Sequence, residues 1–169
     1  MPCVIRAAQL PDAESVLALW ADSAAEPTHT DNLESLAGLM AWDPGALLLA
    51  VDDCLVVGSI IAAVDDCLVV GSIIAAFDGW RGSVYRLVVA RPHRHRGLGN
   101  LLLSSAEARL EAVRALRLQT IVVETDQPAT SFWQTTSWQR QSERLRFTKP
   151  EAPGGASGRL LASSRRRRG

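Results

Sequence analysis

The chain has 169 residues, 47% apolar and 21% charged, a composition that suits one globular domain with a sizeable core and excludes disordered and collagen-like classes. Its 18 basic and 18 acidic side chains cancel, so no global field draws it to nucleic acid or to an anionic membrane. No signal-type leader is legible at the start, and no window offers the roughly 18 uninterrupted apolar residues of a membrane span, so a cytoplasmic protein is expected. Cys3, Cys54 and Cys67 lack metal-ligand spacing and read as reduced thiols, with no metal expected.

In chain order, Cys3 to Arg6 reads as a short opening strand, and Gln9-Leu-Pro-Asp12 as a helix start with Pro11 in its first turn. Ala13 to Ala24 should be a helix, since Val16, Leu17, Leu19 and Trp20 recur at helical spacing. Asp31 is placed to cap a second amphipathic helix through Leu33, Leu36 and Met40, ended by Trp42-Asp-Pro-Gly45. From Ala46 the pattern becomes Val/Ile/Leu runs broken by Asp-Asp, Gly and Asp78-Gly-Trp-Arg-Gly82, which predicts a meander of antiparallel strands. Ser83 to Ala90 is a further strand, Leu98 to Leu116 a helix, Gln119 to Glu124 a strand, Pro128 to Thr135 a helix and Glu143 to Thr148 a last strand. The order defines a mixed α/β domain over residues 1–149. Residues 150–169, rich in Gly, Ser and Arg, read as a disordered tail.

Residues 50–62 and 63–75 are the same thirteen residues, AVDDCLVVGSIIA, twice in tandem. Solenoids need longer units and more of them, so this is a local duplication. One extra antiparallel strand would reverse every later element, whereas Ser83–Ala90 must run parallel to Gln119–Glu124 across the intervening helix. Either one copy forms the strand and the other leaves the sheet, or both arms of a hairpin lengthen. An uncharged, β-prone spare copy should be paired, within an extended hairpin or across a homodimer.

Chemistry concentrates in Ser83-Val-Tyr-Arg-Leu-Val-Val-Ala-Arg-Pro-His-Arg-His-Arg-Gly-Leu-Gly-Asn100, a buried strand, a basic glycine-bearing turn and a helix start. The N–H groups of a first helical turn have no intrahelical partners, so a phosphate group fits there. Gly97 and Gly99 allow close approach, and Arg94 and Arg96 add charge. The pattern is neither Walker A nor the dinucleotide Gly-x-Gly-x-x-Gly.

This stretch resembles the GNAT acetyltransferase family, whose acetyl-CoA motif is Arg/Gln-x-x-Gly-x-Gly/Ala, here Arg94-His-Arg-Gly-Leu-Gly99. The likeness runs from about Val4 to Lys149, including the Asp78–Gly82 turn and Ala129-Thr-Ser-Phe-Trp-Gln-Thr-Thr-Ser-Trp138. It implies the GNAT fold, a central and mostly antiparallel sheet flanked by helices. It implies acetyl-CoA as cosubstrate, with the amides of His95, Arg96, Gly97, Leu98, Gly99 and Asn100 on the pyrophosphate. Leu87, Val88 and Val89 would pair with the pantetheine arm. A primary amine on a small molecule or peptide would attack the thioester directly, its oxyanion held by a backbone N–H near Val88.

Where many members carry an acid tyrosine this chain has Trp133, whose indole can donate a hydrogen bond but gives up no proton. Asp126 stands at the family's asparagine position. Glu124, expected at a strand end, and Tyr85, the only tyrosine, are the candidates for the base, and His29 for the acceptor site. Two other readings are an acetyl-CoA-binding domain with impaired catalysis and a ribosome- or nucleic-acid-associated module using the Arg tail; the neutral net charge speaks against the last.

Overall fold

A computed structural model describes residues 3–23, 27–52, 56–57, 60–61, 68–143 and 146. The expected tail, Cys54, Cys67 and most of the expected last strand lie outside these residues; Glu143 is in a turn. The chain divides into two compact units, Met1–Thr130 and Ser131–Gly169.

The first unit is built on β1 (Val4–Ala7), α1 (Ala13–Asp22), α2 (Leu33–Trp42), β2 (Leu47–Asp52), β3 (Val56–Val57), β4 (Ile60–Ile61), β5 (Leu68–Phe77), β6 (Gly82–Val89), α3 (Leu98–Ala112) and β7 (Leu118–Thr120), and α4 (Gln127–Gln134) starts in it. The main sheet has the order β1-β2-β5-β6-β7, antiparallel except that β6 and β7 run parallel, as a helical crossover through α3 requires. This is the mixed α/β fold expected, a five-stranded sheet flanked by helices.

On one face, Val16, Leu19 and Trp20 of α1 and Leu36 of α2 pack with Leu47, Leu49 and Val51 of β2 and with Val88 of β6. Strand alternation sends Ala50 to the other face, where α3 lies: a Cβ added to Gly71 would sit 2.9 Å from Leu102 Cδ1 and 3.3 Å from Ala50 Cβ. Arg109 of α3 donates to Ala75 O at 2.7 Å and pairs with Asp43, tying α3 to the end of β5 and to the close of α2. Gly82 is similarly tight: an added Cβ would lie 2.7 Å from Leu118 Cδ2 and 2.9 Å from Leu110 Cδ1. Gly82→Val should therefore lower stability by about 1–3 kcal/mol through overpacking, read as a lower denaturation midpoint at unchanged slope.

The described parts of the two copies differ in their surroundings. Leu68–Ala75 of the second copy lies within β5, while Val56–Val57 and Ile60–Ile61 of the first form a separate two-stranded ladder. Ala50–Asp52 of the first copy belong to β2, and among the described residues beyond them Val56–Val57 pair with Ile60–Ile61 in a ladder separate from the main sheet.

Several boundaries differ from the sequence reading, β1, β6 and α4 by a single residue at each end. α1 stops at Asp22, where the Ser23 hydroxyl takes Trp20 O at 2.6 Å. The cap of α2 is Asn32, whose side chain accepts from Ser35 N at 2.8 Å, and not Asp31. α3 ends at Ala112, because Arg114 takes φ 60° and Ala115 N donates back to Leu110 O at 3.0 Å. β7 covers only Leu118–Thr120, and Ile121 and Val123 beyond it are exposed.

In the second unit, the Trp133 ring meets Trp138 edge-on at 5.0 Å and Phe132 at 5.6 Å. The Thr135 and Thr136 hydroxyls donate to Phe132 O and Trp133 O, both at 2.7 Å, closing the end of α4.

Candidate active site

The site begins where the β5–β6 ladder breaks register. Ser72 faces Val88 and Ile74 faces Tyr85, so Ile73 stands opposite both Arg86 and Leu87. This is a β-bulge, and Arg86 takes it with φ 51°, a left-handed conformation costly for a residue with a Cβ. Two hydrogen bonds hold it: Ser72 Oγ donates to Arg86 O at 3.1 Å and accepts from the buried Trp20 Nε1 at 2.9 Å.

Beyond the bulge β6 has no strand neighbour on its β7 side among the described residues, since β7 pairs only with Gly82, Ser83 and Val84. Ala90 N donates to Val70 O at 2.8 Å, so alternation turns the N–H and C=O of Val89 away from β5, onto the open edge. Leu19, Asp22 and Ser23 at the end of α1 face Val88, Val89, Ala90, Arg91 and Arg94 across a narrow surface crevice.

The chain leaves β6 through a 3-10 turn, Arg91–His93, and reaches α3 through Arg94 to Gly97. Arg94 Nε donates back to Val89 O at 3.0 Å. His93 Nδ1 lies 3.6 Å from Asp52 Oδ2 of β2. Gly97 caps α3 with φ 80°, no side chain caps the helix, and the space where its Cβ would be is open. The ladder of α3 starts with Leu101 N donating to Gly97 O at 3.0 Å, which leaves the N–H groups of Leu98, Gly99 and Asn100 without intrahelical acceptors. No acidic side chain lies in this first turn, while Arg96 and His95, itself at φ 59°, are exposed beside it. Free N–H groups at a helix N-terminus, with basic side chains beside them, are chemically suited to an anion.

The strand–turn–helix thus brings Leu87, Val88, Val89, Arg94, His95, Arg96, Gly97, Leu98, Gly99 and Asn100 into one continuous segment. The catalytic candidates are scattered over other elements. Tyr85 is on β6 with its side chain partly exposed. Glu124 does not end a strand as expected; it sits in an exposed turn after the chain has left β7. His29 is exposed in the loop between α1 and α2, its carbonyl accepting from Asn32 Nδ2 at 2.8 Å. Trp133 belongs to the second unit. Asp126 Oδ1 accepts from Ala129 N at 3.0 Å and so caps α4, a task an asparagine could equally perform.

Sequence reasoning missed Arg86. Its guanidinium pairs with Asp31, donates to Thr28 Oγ1 at 2.9 Å and lies 5.1 Å from the Trp20 ring centre. The only signal was an arginine inside an apolar strand. Among the described residues no group of three His, Cys, Asp or Glu side chains could hold a metal ion, and no helix is long and apolar enough to cross a membrane.

A bulged strand with an open edge, running into a basic turn and a glycine-capped helix, lies within the match to the acetyltransferase (GNAT) family, which spans residues 13–136 and makes the chain an acyltransferase by class. The chain belongs to the acetyltransferase (GNAT) family. Solved structures share its fold. Ard1 from Thermoplasma volcanium is 18% identical, with a TM-score of 0.62 over 79% of this chain and 80% of that one. The aminoglycoside 6'-N-acetyltransferase AAC(6')-IG from Acinetobacter haemolyticus is 14% identical, with a TM-score of 0.63 over 88% and 99%. AAC(6')-Iy in complex with the bisubstrate analogue CoA-S-monomethyl-acetylneamine is 13% identical, with a TM-score of 0.65 over 90% and 100%. At these identities the likeness is one of fold. No curated protein matches the sequence.

Proposed function

We propose that the chain is an N-acetyltransferase that moves the acetyl group of acetyl-CoA onto a primary amine by direct attack. The observation that carries this reading is the continuity of the open β6 edge with the uncapped N-terminus of α3. The amides of His95 to Asn100 hold the pyrophosphate, with the charge of Arg94 and Arg96 beside them. The edge at Leu87, Val88 and Val89 pairs with the pantetheine arm. The outward N–H beside Val88 is that of Val89, and it stabilises the oxygen of the thioester carbonyl as the amine attacks. Tyr85 and Glu124 are candidates for taking the amine's proton, and His29 for lining the acceptor site.

Coenzyme A leaves as a thiolate. Trp133, at the position where the family resemblance would give an acid, has an indole that donates a hydrogen bond but gives up no proton. Losing an acid costs about 10²–10⁴-fold in rate, and a thiol of ordinary pKa leaves without one. Trp133 therefore favours a second reading, a domain that binds acetyl-CoA and transfers acetyl slowly.

Thiol release from acetyl-CoA in the presence of a polyamine, an aminoglycoside or a peptide with a free N-terminus separates the two. Amine-dependent release is the expected result. Binding of acetyl-CoA without amine-dependent release selects the slow domain, and absence of binding removes both.

A further inference from the structure

Resting on the acetyltransferase reading, we propose that Arg86 is a positioning residue that fastens the loop between α1 and α2 to the bulged strand. Both ends of Arg86 are held. Its carbonyl is taken by Ser72 Oγ, which is itself fixed by Trp20 Nε1. Its guanidinium lies over the ring of the same Trp20 and pairs with Asp31, both side chains being largely buried at 13% and 14% exposure. Asp31 in turn accepts from Thr28 N and Thr28 Oγ1, each at 2.9 Å, so the carboxylate that Arg86 neutralises also shapes the loop. Without the arginine that charge is left partly buried and uncompensated, and the loop carrying His29 loses its anchor on the strand that would hold the thioester. The backbone gains nothing from arginine here, because glycine adopts positive φ more readily. The side chain is therefore what arginine supplies.

Arg86→Gly isolates this role, since it eases the bulge while removing the tether. In the full chain its expected effects are faster hydrogen exchange at the amides of Thr28 and Asp31, by about tenfold or more, and a KM for the amine raised about tenfold. Affinity for acetyl-CoA should change by less than about twofold. Arg86→Lys should restore part of the protection, and Asp31→Asn should reproduce the loss. Wild-type exchange and an unchanged amine KM in Arg86→Gly would overturn the tether. Failure of the wild-type protein to bind acetyl-CoA would instead defeat the acetyltransferase reading, and the exchange data would still show whether the tether exists.

The repeat carries a second inference independently: we infer that its two copies are interchangeable as β5. Leu55–Ala62 and Leu68–Ala75 are identical in sequence. Threading the first copy into the register of β5 sets Leu55 opposite Asp52, Ile60 opposite Leu48, and Ser59 beneath Trp20, where Leu68, Ile73 and Ser72 now stand. Every side chain of the strand from Leu68 to Ala76 is reproduced, and the two arrangements differ only at its ends. With the second copy in place, β5 runs on to Phe77 opposite Gly82 and into a turn where Asp78 Oδ1 accepts from Trp80 N at 2.8 Å. With the first, Val64 would take the Phe77 position, and Asp53-Cys54 alone would join β2 to β5. A two-residue hairpin link favours positive φ, which suits glycine and asparagine and not cysteine. Those ends select the second copy, and the first stands in reserve.

Ile73 is fully buried, so Ile73→Asp should unfold an ordinary single-copy strand. Here the first copy should replace it, giving a folded protein with native Trp20 fluorescence and a melting temperature lowered by several degrees. Ile60→Asp should be close to wild type, and the double variant unfolded. Deleting 63–75 leaves the same sequence as deleting 50–62; that chain should fold, and should unfold when it also carries Ile60→Asp. An unfolded Ile73→Asp single variant, or a folded double variant, would overturn interchangeability.

Discussion

Replacing Asp12 by alanine should lower stability by about 3–5 kcal/mol, the cost of leaving a buried charge without its partner. Arg6 donates to the two oxygens of Asp12 at 2.6 and 2.7 Å, and Gln9 N donates to Oδ2 at 2.7 Å, locking β1 to the start of α1. Asp12 is 6% exposed, and Arg6 Nε is already buried without a partner, so a guanidinium stripped of its carboxylate has little recourse. Urea unfolding of Asp12→Ala beside wild type measures the loss. The same pair predicts part of the acid sensitivity. Burial alone would raise the Asp12 pKa, but hydrogen bonds from Arg6 and Gln9 and the Arg6 charge outweigh it and hold the carboxyl below its usual value. Folded Asp12 therefore gives up its proton more readily than unfolded Asp12. Its contribution is whole above about pH 4 and is lost as pH falls through the depressed folded value. Asp12→Asn, already destabilised at neutral pH, should show a shallower acid limb than wild type.

Gly97→Glu should weaken acetyl-CoA binding about 100-fold or more while leaving the protein folded. The φ of 80° strains any residue with a Cβ, at roughly 1–2 kcal/mol, but nothing lies within 4 Å of where that Cβ would be. A carboxylate there faces the unpaired amides of Leu98 to Asn100, where the phosphates are proposed to bind. It can even favour the helix dipole, so the loss falls on the ligand more than on the fold. Gly97→Ala carries the strain without the charge and should bind more weakly than wild type but far better than Gly97→Glu. Titration calorimetry of the three proteins separates strain from repulsion.

Much of this was legible in local sequence signals. The alternation and turn residues of the meander, the helical spacing of Val16, Leu19 and Trp20, and the parity argument for a parallel β6–β7 pair each rest on near neighbours or on topology. The basic turn before α3 was legible for the same reason, because a glycine cap and its flanking arginines are contiguous. What escaped depends on partners far along the chain. The bulge at Arg86 arises from the register between β5 and β6, and its ion pair reaches back to Asp31; neither leaves a periodicity. Ile121 and Val123 alternate as a strand would, yet the chain has already left β6, so pattern without a partner misled. α3 closes on a left-handed arginine, Arg114, with no glycine to announce it. Two identical copies give the sequence no means of telling which one forms β5; Phe77 opposite Gly82 and the Asp78 turn lie beyond the repeat.

The most direct test of the account is thermal unfolding of the wild-type protein and of Gly97→Glu, each with and without acetyl-CoA at about 100 times the expected dissociation constant. Binding at that excess stabilises the folded state by about 2.7 kcal/mol. A clear rise in the melting temperature of wild type that vanishes in Gly97→Glu is the predicted result, and it locates the cosubstrate at the turn before α3. No rise in wild type, or an equal rise in both proteins, would contradict it.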